Sequence, residues 1–285
     1  MKRHHQILAA VLVIQIALSV IVFWPKSAAT GGSEPLFPDL EAGDVAALAI
    51  TDDQGSSTAL RKVSGEWVLP DAGDYPAEAS RITPVLDKIA GLNTGRLVTR
   101  TDASHRRLQV AADDFVRRID FETTDGRAYT IYLGSSPSYG VSHFRLDGQS
   151  ETYLTDELSA WEVDATAASW IDTAYFGIDR SELTRVTLEN ANGTFVFTRD
   201  DGDNWTLEGL EEGEELASGQ VNTVIDRVTS VTMLRPLGTE EDAAYGLDDP
   251  LAAVTLEAGD RTVTLHVGAQ DPADNSYVVK VSESP

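Results

Sequence analysis

The run Ser80-Arg81-Ile82-Thr83-Pro84-Val85-Leu86-Asp87-Lys88-Ile89-Ala90-Gly91-Leu92 decides the reading of this chain. Its apolar residues Ile82, Val85, Leu86, Ile89 and Leu92 fall at i, i+3, i+4, i+7 and i+10, one stripe on a 3.6-residue helix. The spacing predicts a helix buried along one face. Pro84 lacks a backbone donor and is expected in the first turn, which puts the helix start near Ser80. The same stripe returns 139 residues later as Val221, Val224, Ile225, Val228 and Val231. Gly55 and Trp67 precede the first stripe, and Gly193 and Trp205 precede the second, each pair 138 residues apart; Leu108 and Leu247 follow, 139 apart. A period kept over so many landmarks marks a duplicated unit. What is duplicated is packing and turn residues, with no catalytic group among them.

Working outward, short β-prone runs at 44–50 and 183–188 lead into turns at Gln54-Gly55 and Asn192-Gly193, where both residues of an Asn-Gly pair tolerate positive φ. Second turns at Ser64-Gly65 and Asp201-Gly202 deliver the tryptophan strands 66–69 and 204–207. Each unit therefore opens as a three-stranded meander and continues into the helix. After the second helix, Tyr245-Gly246-Leu247-Asp248-Asp249-Pro250 reads as a turn whose leucine tucks under a sheet. In the first copy only the leucine of His105-Arg106-Arg107-Leu108 remains. Hairpins follow at 115–121 with 127–133 and at 251–256 with 261–267, closed by Leu133-Gly134 and Val267-Gly268. Further strands are expected at 142–146, 152–154 and 276–281, and a short helix at 155–168 carrying Leu158 and Trp161. The predicted fold class is α+β: two tandem repeats of antiparallel β-meander, amphipathic helix and β-hairpins, behind one N-terminal transmembrane helix.

Residues 7–24 are apolar except for Gln15 and Ser19 and follow Lys2, Arg3, His4 and His5. As a helix they span about 27 Å, close to the roughly 30 Å of a bilayer's hydrocarbon. The basic flank stays cytoplasmic and the rest of the chain lies outside it; Ser27 and Ala29 offer the competing reading of a cleaved signal peptide. The expected organisation is a cytoplasmic tail (1–6), a membrane anchor (7–24), a linker (25–35), a first repeat domain (36–173) and a second (174–285). The second is one strand and one helix short, so it is expected to be C-terminally incomplete. The 285 residues contain no cysteine and carry a formal charge of −24. Neither disulfides nor a thiolate metal site is available. The acidity opposes phosphate backbones, so nucleic acid is not an expected partner.

His105, His143 and His266 are isolated and lack a second ligand at metal spacing, so they read as surface or strand histidines. Gly134-Ser135-Ser136-Pro137-Ser138-Tyr139-Gly140 lacks the order of a nucleophile elbow and reads as a hairpin loop. The acid pairs Asp52-Asp53, Asp113-Asp114, Asp200-Asp201 and Asp248-Asp249 fit turn chemistry better than a hydrolytic pair. No catalytic, cofactor-binding or metal-ligating residue is assigned, no cofactor is expected, and the chain is not expected to be an enzyme.

Gly65-Glu66-Trp67, Tyr75-Pro76-Ala77 leading to Leu86-Asp87-Lys88-Ile89, and the 245–250 turn together carry a family resemblance. From about Leu36 onward the chain resembles the bacterial membrane-anchored proteins grouped as domain-of-unknown-function family 4340. It departs from their pattern at the turn of the first copy and at the carboxy-terminal end. The resemblance implies one inner-membrane segment, a duplicated extracytoplasmic α+β region facing the periplasm or outside, and association with ABC transport systems of the gliding-motility type. It supplies no catalytic residues. The expected function is thus a non-enzymatic accessory protein that binds a transporter's permease or ATPase subunits, or its cargo. The alternative is an envelope glycan or peptide binding module using Tyr132, Tyr139, Tyr175 or Phe176.

Overall fold

The computed structural model describes residues 33–200, 204–211 and 213–284. The expected tail and anchor (1–24), most of the linker and the Asp201-Gly202 turn lie outside them. No described helix is long and apolar enough to cross a membrane. The described residues form two compact units, one running to Val45 and resuming over Thr83–Val163, the other made of Ala46–Ile82 and the chain from Asp164 onward. Both are mainly antiparallel β-structure with few helices, an α+β composition.

Strands β1 (Val45–Asp52), β2 (Ser57–Val63), β3 (Glu66–Leu69) and β4 (Tyr75–Pro76) make an antiparallel meander. Asp52 closes its first turn, accepting from the backbone N–H groups of Gln54 (2.9 Å) and Ser56 (2.8 Å). Ser64 (φ 53°) and Gly65 (φ 92°) form the second, a two-residue connection whose positive φ values match the twist of paired strands. Trp67 is buried, with the Lys62 ammonium 5.1 Å from its ring centre.

Helix α1 (Ala79–Ala90) buries Ile82, Val85, Leu86 and Ile89, and Leu92 just beyond it is buried too. The Glu78 carbonyl starts the helix by accepting from Arg81 (3.0 Å) and Ile82 (3.3 Å). That places Pro84 at the sixth position, inside the helix and not in its first turn as expected. Proline has no N–H to donate to the Ser80 carbonyl, so that one bond of the helical ladder is missing.

In the first unit come β5 (Leu97–Thr99), the helical turn α2 (His105–Leu108), a ribbon of β6 (Val110–Ala111) with β7 (Asp114–Phe115), and then β8 (Arg117–Thr123), β9 (Ala128–Leu133), β10 (Ser142–Leu146) and β11 (Thr152–Thr155). The sheet runs β8-β9-β10-β11-β5. Phe115 belongs to the ribbon, so the hairpin strand expected from 115 begins at Arg117. Residues ahead of the sheet are pinned: Leu36 donates to the Leu92 carbonyl (2.7 Å), and Phe37 meets Phe121 and Tyr129 edge-on.

The helix expected over 155–168 is absent. Only a 3₁₀ turn at Ala167–Trp170 forms. Polar side chains take amide donors that a helix would need: Glu162 accepts from Ser159 N, and Asp164 from Thr166 N. Such local bonds compete directly with helical ones. Leu158 is buried all the same, whereas Trp161 is 70% exposed.

The second unit adds β12 (Ala174–Gly177), β13 (Leu183–Asn190), β14 (Gly193–Arg199), β15 (Trp205–Leu207), α3 (Ser218–Thr229), β16 (Ser230–Thr232), β17 (Ala252–Ala258), β18 (Arg261–Gln270) and β19 (Tyr277–Val281). Its sheet runs β15-β14-β13-β17-β18-β19, and β12 pairs with β16. Alternate residues of these strands join Trp205, Val221 and Ile225 in one core with Leu183, Val186, Leu256 and Val263. Val224 and Val228 are half-buried. The Asn192-Gly193 turn is displaced by one residue. Asn190 pairs with Gly193 and its side chain accepts from Asn192 N (2.8 Å), so Ala191-Asn192 is the loop and only Gly193 (φ 125°) is positive.

Two glycines control how the chain crosses these sheets. A Cβ on Gly134 would lie 2.1 Å from the Leu108 carbonyl oxygen and 2.7 Å from Val110 Cγ1; one on Gly268 would lie 2.1 Å from the Tyr245 oxygen and 3.2 Å from Leu247 Cδ2. The residue in the first unit that packs as Leu247 does is therefore Val110, not the expected Leu108. The backbone path, not the identity of the leucine, sets the correspondence, and it shifts the position by two residues.

Candidate functional site

In β18 and β19, His266 stands opposite Lys280, so their side chains share one face of the sheet. Over that face comes the segment that follows α3. Asp242 accepts from Ala244 N (2.8 Å) and starts a 3₁₀ turn at Ala243–Tyr245. Gly246, at φ 63°, then reverses the chain and brings Leu247 and Asp248 down toward β18. Gly268 allows the Tyr245 carbonyl to pass. The result is a cleft of about 400 Å³ lined by Glu241, Asp242, Leu247, Asp248, His266 and Lys280 among others. Lys280 Nζ lies 3.3 Å from Glu241 Oε1. With that pair offsetting each other, Asp242 and Asp248 give the wall its negative field.

A second hollow, about 350 Å³, is lined by Asp179, Arg180, Ser181, Arg199 and Trp205. Its charged groups are engaged in the fold: Arg180 pairs with Asp226 and donates to Asn222 Oδ1 (2.5 Å), and Arg199 donates to the Ser181 carbonyl (2.5 Å). Hydrogen bonds from the Ser181 hydroxyl and backbone hold the Asp179 carboxyl below its ordinary value.

The first unit buries a cation. Arg145, 5% exposed, lies with its guanidinium carbon 4.6 Å from the Tyr132 ring centre. Its Nε donates to the Val110 carbonyl (2.7 Å), its Nη1 to those of Leu146 (3.3 Å) and Gln149 (3.2 Å), and Asp147 is 3.7 Å away. Burial, and after it the Asp147 carboxylate, hold the Tyr132 phenol above its usual range.

The histidines are dispersed. His105 is buried in the α2 turn, unlike the surface or strand position expected, and its Nε2 lies 3.0 Å from the Ser150 carbonyl oxygen. His143 is buried in β10 with Nδ1 2.7 Å from the Ser135 carbonyl oxygen. That geometry makes Nδ1 a donor, so it does not serve the Ser135 hydroxyl as a base; Ser135 Oγ itself donates to the Leu108 carbonyl (3.1 Å). Among the described histidines, His266 lines the cleft. Asp113 pairs with Arg106, and Asp52 closes its turn, as described. Among the described residues no group of three His, Asp or Glu is placed to hold a metal ion.

The proposed aromatic binders divide. Tyr132 and Phe176 are core residues, Tyr132 under Arg145 and Phe176 with the Arg261 guanidinium 5.8 Å from its ring centre. The Tyr175 hydroxyl accepts from Val281 N (3.1 Å). Tyr139 alone is open, 96% exposed on the β9–β10 loop. Sequence periodicity hid Tyr132 and Phe176, since an aromatic on either face of a strand reads alike. It also hid Trp161, whose exposure follows from the absent helix.

These features define a class: an acidic α+β protein of antiparallel sheets with an open polar cleft at one sheet edge. The family model described as a domain of unknown function (DUF4340) matches residues 67–250, most of the chain, and the chain belongs to that family. No curated protein and no solved structure matches it.

Proposed function

We propose that this protein is a membrane-anchored, extracytoplasmic, non-enzymatic accessory protein of an ABC-type transport system, built from two copies of one unit, and that it binds the permease or its cargo. The observation that carries the reading is the apolar run 7–24 behind Lys2 and Arg3, followed by a strongly acidic remainder. Support for the duplication comes from the strand orders: β8-β9-β10 follow one another as β17-β18-β19 do, each with its glycine under a crossing carbonyl. The test is in-cell crosslinking of the full chain, tagged at its carboxy terminus, followed by detergent extraction and mass spectrometry. Permease and ATPase subunits are the expected attachments; their consistent absence overturns the reading.

A second reading, an envelope glycan or peptide binder, is favoured by the exposed rings of Tyr139 and Trp161, since open aromatics stack on sugar faces and peptide side chains. Retention of the full chain on purified cell-wall material, reduced in Trp161→Ala, would support it; equal retention of both would refute the role of the ring.

A further inference from the structure

Gly134 and Gly268 supply a common frame for comparing the two units. Two residues before them on β9 and β18 stand Tyr132 and His266, and opposite these across the ladder stand Arg145 and Lys280. Val110 packs on the first glycine and Leu247 on the second. Tyr132, Arg145 and Val110 thus occupy the same relative places as His266, Lys280 and Leu247. In the first unit that place is filled by a guanidinium, held between a ring, a peptide carbonyl and a nearby carboxylate. In the second, the residue in Arg145's position has turned aside to Glu241, and the place is the open cleft walled by Leu247, Asp242, Asp248 and His266.

We propose that this cleft receives a guanidinium group, supplied by an arginine side chain of a partner polypeptide. The chain's own Arg145 displays the geometry: a flat ring on one side, a carbonyl at the edge and a carboxylate beside it. A planar guanidinium can meet all three at once, which a compact ammonium does not. Asp242 and Asp248 favour a cation, and the overall charge of −24 steers one toward the protein. The same carboxylates repel the α-carboxylate of free arginine, so a residue within a polypeptide is the fitting source. The proposal stands apart from the transporter reading, because it names the chemistry of one cleft whichever protein brings the arginine.

The test is calorimetric titration of the full chain in neutral detergent micelles with Nα-acetyl-arginine amide. Nα-acetyl-citrulline amide serves as the uncharged isostere, and free arginine as the other source. Saturable binding is expected, at least about tenfold tighter for the blocked arginine than for citrulline, with free arginine weaker. Asp248→Asn should weaken binding about tenfold, and Asp39→Asn, outside the cleft, should leave it unchanged. The double variant His266→Tyr with Lys280→Arg should abolish binding by filling the cleft from within, which tests the idea even where Asp248→Asn fails to fold. Tighter binding of free arginine would reassign the source to the amino acid and overturn the polypeptide partner. Equal binding of citrulline, an equal effect of Asp39→Asn, or no binding would overturn the site.

Discussion

Alanine at Gly134 or Gly268 tests the backbone crossings on which both units depend. Neither glycine has positive φ, so alanine is conformationally at home there. At an open site of that kind the change stabilises by about 0.4–1 kcal/mol through the unfolded chain. Here the sign is reversed by sterics. The new Cβ would sit 2.1 Å from a carbonyl oxygen in each case, tighter by more than an ångström than a carbon–oxygen contact allows, and at Gly134 also 2.7 Å from the Gln109 oxygen. Relief requires the crossing strand to lift. At Gly134 that strains the Leu108 carbonyl, which accepts from the Ser135 N–H (3.0 Å) and hydroxyl (3.1 Å). Overpacking costs about 1–3 kcal/mol and each displaced hydrogen bond about 1, so Gly134→Ala should lose roughly 3–5 kcal/mol and Gly268→Ala roughly 1–3. In thermal unfolding of the full chain followed by tryptophan fluorescence, a 3 kcal/mol loss lowers the midpoint by about 6–12 °C. Gly219→Ala in α3, where a Cβ meets nothing within 4 Å, is the control and should be neutral or stabilising. A Gly134→Ala or Gly268→Ala midpoint equal to that of Gly219→Ala would refute the close-approach argument.

Trp205→Ala empties a core position and should cost about 3–5 kcal/mol; a denaturation curve overlying the wild type would contradict the core assignment. Thr152 Oγ1 is buried without a hydrogen-bond partner, and Thr152→Val removes that hydroxyl while keeping the β-branch. It should raise stability by about 1 kcal/mol, and a comparable loss in urea titration would show that the hydroxyl is satisfied. Burial by itself would raise the Glu162 carboxyl, but hydrogen bonds from Lys88 and Ser159 more than offset it and hold it below the ordinary glutamate value. Because the folded value is the lower one, its contribution is complete above the unfolded value of about 4.3 and is lost as pH falls through the folded value. Glu162→Gln should therefore flatten the acid-side decline of the unfolding midpoint below about pH 4.3, and parallel declines in the two proteins would rule this out.

Local grammar makes much of the molecule legible in the sequence. The stripe Ile82, Val85, Leu86, Ile89 is buried because a 3.6-residue period leaves those side chains nowhere else to go, and Ser64-Gly65 turns because Gly65 takes a positive φ without a Cβ clash. Trp67 and Trp205 are core for the same reason of patterning. What failed depended on competition between partners distant in space or on polar side chains: the 155–168 helix lost donors to Glu162 and Asp164, and Tyr132 turned inward beneath Arg145.

The sequence alone determined the periodic elements, their α+β mixture and the acidic balance, since each is set by neighbours along the chain. The cleft was decided only in three dimensions. Glu241, Asp242, Leu247 and Asp248 approach His266 and Lys280 because Gly246 reverses the chain and Gly268 lets a carbonyl pass, and no spacing along the sequence records that meeting. The same tertiary geometry decided that one buried place would be filled by Arg145 and its counterpart left open, because a guanidinium reaches the Val110 carbonyl while Lys280 is drawn to Glu241.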